Sequence, residues 1–137
     1  MAHYIELPVY KATYDLLLQI FDLTHNLSRE YKFTLGEKLK NETTVLLTNI
    51  YRANRVRQKE NYLETARENL ELVRLYIRIL KDTKQITSKK HIFINKSIEQ
   101  VSKQLAGWHK SVIKKQIGKD CPKQKAFSVP IKIAVYQ

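Results

Sequence analysis

The chain has 137 residues, with 25 Lys and Arg against 13 Asp and Glu, a net charge of +12 and 43% hydrophobic residues. That length makes one domain with enough apolar content for a core without disulfides or metal, and three Gly and three Pro are too few for a turn-rich all-β fold. The charge excess calls for a polyanionic partner, nucleic acid first and an anionic membrane second.

Pro8 suits the first turn of a helix. From there Val9, Leu16, Ile20, Leu23 and Leu27 follow the 3-4 spacing of a bundle helix. The residues around it, MAHYIELPVYKATYD, lack the basic and apolar regions of a signal peptide. No apolar run is long enough to span a bilayer. A soluble, cytoplasmic protein is expected, in keeping with a single cysteine, Cys121. Residues 28–33 read as a loop.

Thr34 is the expected N-cap of a second helix, with Glu37 completing a capping box. Its apolar stripe is Leu35, Leu39, Leu46, Ile50 and Ala53. Arg52, Arg55, Arg57 and Lys59 close it. The helix dipole favours cations at that end, yet four in eight residues is more than a cap requires. Cap and anion-binding readings both stand.

The third helix carries Leu63, Ala66, Leu70, Val73, Ile77 and Leu80 on one face. Leu72, Leu75, Tyr76 and Ile79 form a second apolar face. A helix greasy on two faces is buried on two faces, so the second is expected to meet another copy of the chain. Arg67, Arg74, Arg78 and Lys81 share the remaining stripe. Glu71 could pair with Arg67 and Arg74, which is the solvated-face reading. Arginine at these positions suits phosphate contact, which is the binding reading.

The fourth helix follows Thr87 or Ser88 as cap and buries Ile94, Ile98, Val101, Leu105, Trp108 and Val112. Lys89, Lys96, Lys103 and Lys110 recur at seven-residue spacing, joined by Lys114, all on one side. They form either a solvated face or a ridge that tracks phosphates without reading sequence. Gly107, inside the helix, suggests close approach by another helix. Short connections at residues 28–33, 58–60 and 83–87 make the whole an all-α, antiparallel, up-down-up-down four-helix bundle over residues 1–117. Residues 118–137 are expected to form a basic linker and a β-prone C-terminal tail.

Three segments carry a family resemblance: KFTLGEKLKNE at 32–42, YLETARENLELVRLYIRILKD at 62–82, and LAGWHKSV at 105–112. In that order and spacing they resemble the accessory variability determinant (Avd) family of diversity-generating retroelements, which is similar to the four-helix proteins encoded in ribosomal-RNA intervening sequences. The resemblance covers roughly residues 10–115. It implies a basic homopentameric barrel that binds the retroelement reverse transcriptase and nucleic acid and supports mutagenic copying of template RNA into cDNA. The family's basic positions in the third-helix motif fall on Arg74 and Arg78. The family's acidic EAR stretch near the end of the second helix is replaced here by YRANR, residues 51–55.

Catalytic signatures are missing from the sequence. Asp22 and His25 form one isolated D/E-x-x-H pair, short of a di-iron set. His3, His91 and His109 have no ligand-like sequence neighbours, and no zinc spacing, phosphate loop or nucleophile elbow occurs. No cofactor, metal or enzymatic activity is expected. The leading reading is a non-catalytic accessory subunit that binds RNA or DNA and the polymerase, with candidate contacts at Arg74, Arg78, Lys81, Arg67, Arg52, Arg55, Lys96, Lys103, Lys110 and Lys114. The alternative is a structural bundle that assembles with itself or a protein partner. Membrane attachment is weaker, because the fourth helix needs its apolar face for the core.

Overall fold

Four apolar stripes turn toward one axis. In a computed structural model, which describes residues 7–119 and their side chains to residue 115, the chain forms α1 (Pro8–His25), α2 (Arg29–Lys32), α3 (Leu35–Arg55), α4 (Glu60–Asp82) and α5 (Ser88–Lys119). The four long helices close a square in which α1 packs on α3, α3 on α4, α4 on α5 and α5 on α1. This is the expected antiparallel four-helix bundle.

The core consists of the residues the spacing selects. Leu16, Ile20, Leu39, Leu46, Ile50, Leu63, Leu80, Ile98 and Leu105 are fully buried, and each contributes about 1.5–3 kcal/mol by leaving water. Trp108 and Val112 are half-buried and pack against this core. Buried Thr13 and Thr43 return their hydroxyls to Val9 O and Leu39 O, at 2.7 and 2.8 Å, so neither is stranded. One polar ladder crosses the α3–α4 seam. Asn49 Nδ2 donates to Asn69 Oδ1 at 2.8 Å, and Asn69 Nδ2 donates to Glu42 Oε2.

The first connection differs from expectation. Residues 29–32 form the one-turn helix α2 rather than loop. This also undoes the capping box. Thr34 occupies the N-cap, but its Oγ1 donates backward to Glu30 O at 2.7 Å, and Glu37 pairs with Lys40 at 3.0 Å. Gly36 is buried at this corner. A Cβ there would lie 3.2 Å from Tyr31 O and 3.4 Å from Leu27 Cδ1, so any side chain would crowd this crossing.

The other two turns are held by hydrogen bonds to the helix ends. Lys59 Nζ donates to Ala53 O and Val56 O, at 2.8 and 2.6 Å, satisfying carbonyls at the end of α3. Burial, then the charge of Lys115, lowers the Lys59 pKa. After α4, Lys84 takes the left-handed conformation with φ 62°. Gln85 N–H then reaches Leu80 O at 2.8 Å and Lys84 N–H reaches Lys81 O at 3.0 Å, a Schellman arrangement with lysine where glycine is usual. Thr87 is the N-cap of α5, its Oγ1 accepting from Lys90 N–H at 3.1 Å. Helix α5 runs through Gly118 to Lys119, past the break expected at 118. The β-prone tail lies outside the described residues. Among the described residues no helix is long and apolar enough to cross a membrane.

Candidate nucleic-acid interface

The apolar stripe of α5 sets the direction of its lysines. Ile94, Ile98, Val101 and Leu105 face inward and are buried, which turns Lys89, Lys96, Lys103, Lys110 and Lys114 outward, all exposed. None of the five makes an ion pair among the described residues. Lys96 and Lys103 line an open depression of about 460 Å³ with Ile92, Asn95, Glu99 and Gln100. Ile92 and Phe93, 58% and 59% exposed, stand at the N-terminal end of the same helix.

Gly107 interrupts this ridge between Lys103 and Lys110. The close helix contact expected there is not made among the described residues, where a Cβ would meet nothing within 4 Å. Its backbone is helical, so alanine fits without strain. We expect Gly107→Ala to stabilise the fold by about 0.5–1 kcal/mol, through backbone entropy alone. Chemical denaturation measures this, and a destabilised variant would reveal a constraint at Gly107 that the isolated chain lacks.

The α4 stripe is more engaged than the α5 ridge. Arg74 is half-buried, with Glu71 at 3.6 Å and Glu99 of α5 in direct contact with its Nη1. It ties α4 to α5. Arg78 is exposed and lies 3.6 Å from Asp82, a pair worth about 0–1 kcal/mol that a phosphate could displace. Lys81 is exposed. His91, half-buried beside this corner, has its pKa lowered by burial, then by Lys81 and Arg78, against an opposing pull from Asp82. The structure thus groups Arg74, Arg78 and Lys81 with the N-terminal half of the α5 ridge.

Arg52 and Arg55 of α3 lie elsewhere, since α3 is diagonal to α5 in the square, whereas Lys59 is close enough to α5 to feel the charge of Lys115. Arg52 is exposed. Arg55 donates to Tyr51 OH at 2.9 Å and stacks 5.6 Å from that ring. Lys59 serves as the cap already described. The predicted second apolar face of α4 is divided: Leu72 and Leu75 are 38% and 50% exposed, while Tyr76 packs against the core.

Sequence spacing left His109 without ligand-like neighbours, and the fold supplies two. Glu60, Glu64 and His109 place one ligand atom each within 4.8 Å of one another. Arg67 Nη1 lies 3.0 Å from His109 Nδ1, so this arginine leaves the basic stripe for the α4–α5 seam. The signal was available only by pairing helices. Counting back equally from the 83–87 turn sets Glu64 opposite the turn of α5 that holds His109.

Comparison with known proteins agrees with the four-helix fold. A protein of unknown function from the S23 ribosomal protein family of Bacteroides thetaiotaomicron shares the fold, with a TM-score of 0.69 and 22% identity over 74% of this chain and 95% of that one. No curated protein matches. The family model described as bAvd-like matches residues 8–112, the whole of the bundle from the first turn of α1 into the last third of α5. The chain belongs to the bAvd-like family.

Proposed function

We propose that this protein is a non-catalytic accessory subunit that binds nucleic acid, and a retroelement reverse transcriptase, through basic helical surfaces. The observation that carries the reading is the α5 ridge, five exposed lysines with no ion pair among the described residues. Lysines left unpaired along one helix suit contact with a phosphate backbone, which gives affinity without sequence preference. Family membership supports the accessory role. Self-assembly, as the pentamer the family resemblance implies, would use the exposed Leu72 and Leu75 of α4.

The testing experiment is RNA binding across a salt series, followed on His91 by NMR. Folding lowers the His91 pKa below its ordinary 6.5, so its protonation costs stability as pH falls through that value. Phosphate charge arriving beside Arg78 and Lys81 favours the protonated ring and raises the pKa. We expect a higher His91 midpoint with RNA at low salt, returning to the free value as salt rises. No RNA binding at low salt by a folded oligomer would instead favour the structural-bundle reading, for which the exposed leucines of α4 are the specific observation.

A further inference from the structure

We propose that Glu60, Glu64 and His109 form a binding site for a divalent transition-metal ion, of which Zn²⁺ is the representative. Glu60 and Glu64 stand one turn apart on α4, so their carboxylates project from the same side. His109 enters from α5 and is buried, at 7% exposure. The three ligand atoms lie within 4.8 Å of one another, and His109 Nε2 is 3.9 Å from Glu64 Oε1. Ligands bonded at about 2.0–2.1 Å to a tetrahedral ion sit roughly 3.3 Å apart. Small rotations of two half-buried carboxylates close that difference.

The donor set selects the ion class. One imidazole nitrogen with two carboxylates suits Zn²⁺ and its neighbours, whereas Mg²⁺ and Ca²⁺ prefer oxygen alone. Like charges at i,i+4 repel, and an ion between them removes that repulsion. Three protein ligands leave one position of a tetrahedron open.

Arg67 makes the site conditional. A guanidinium only donates, so its contact at 3.0 Å makes Nδ1 of His109 the acceptor and puts the ring proton on Nε2. An ion on Nε2 requires the proton to move to Nδ1, where it opposes the Arg67 donor. The ion and the Arg67–His109 contact therefore exclude each other. Arg67 is exposed and can turn away.

Zn²⁺ alone, titrated calorimetrically into the full chain, tests this. We expect one ion per chain, affinity lowered at least about tenfold in the isosteric E60Q/E64Q variant, and affinity raised in Arg67→Met. A purely structural role for the His109 cluster predicts no such gain from losing Arg67. Wild type that takes up no ion, or an E60Q/E64Q variant with wild-type affinity, overturns the proposal. Should that variant not fold, NMR of wild type decides. Zn²⁺ must shift the His109 ring first, and a first shift at His3, His25 or His91 overturns the assignment.

Discussion

Replacing Lys96, Lys103 and Lys110 together by glutamine flattens the salt dependence of RNA binding by about 2 in log–log slope. The figure is the ~0.7 lost per single-strand phosphate contact, taken over three contacts. Affinity falls most at low salt, and the two proteins converge as salt rises, because the lost contribution is release of condensed counterions. All three lysines are exposed and make no ion pair among the described residues. Stability therefore stays within about 0.5 kcal/mol of wild type. Arg74 is a poorer probe of the same idea. Its ties to Glu71 and Glu99 mean that its loss disturbs the α4–α5 seam as well as any ligand. An unchanged slope in the triple lysine variant would remove the ridge from the interface.

Leu105→Ala has the largest expected effect on the fold. Leu105 is fully buried on the inward face of α5, beneath the ridge. Truncation loses the transfer energy of three carbon groups and leaves a partly relaxed cavity, at a cost of about 2–5 kcal/mol. Against a total stability of about 5–15 kcal/mol, that is a large fraction. Urea unfolding should show a lower midpoint with an unchanged m-value. A loss below about 1 kcal/mol would mean that α5 is held mainly by contacts outside this chain.

The bundle was legible because its stripes are long and regular. Leu39, Leu46, Leu63, Leu70, Ile77 and Leu105 each fall where 3-4 spacing puts them, and each is buried. What failed was local or pairwise. Helix α2 is a single turn, too short for periodicity to register. The Thr34–Glu37 box matched in sequence, but Thr34 Oγ1 turns back to donate to Glu30 O and accepts from no N–H of the first turn of α3. Arg74 and Arg67 looked equivalent on their stripe. What separates them is what α5 sets opposite: Glu99 for one and His109 for the other. Spacing within one helix cannot carry that information, whereas the exposure of the α5 lysines follows directly from the burial of Ile94, Ile98, Val101 and Leu105.

The amide ladder between α3 and α4 has a consequence for alignment. Leu39, Leu46 and Ala53 repeat at seven residues, as do Leu63, Leu70 and Ile77. Sliding one helix past the other by seven residues, about 10.5 Å, sets apolar groups on apolar groups again. The apolar pattern repeats within the stripes, and the shifted seating loses hydrophobic contact at their two ends. The polar ladder registers the slide as well, because Asn49 and Glu42 are themselves seven residues apart, so the shift leaves Asn69 beside one of them and takes it from the other. Each buried amide left without its partner costs about 1–3 kcal/mol. Two asparagines act as the vernier of this pair, marking one position along stripes whose apolar pattern repeats.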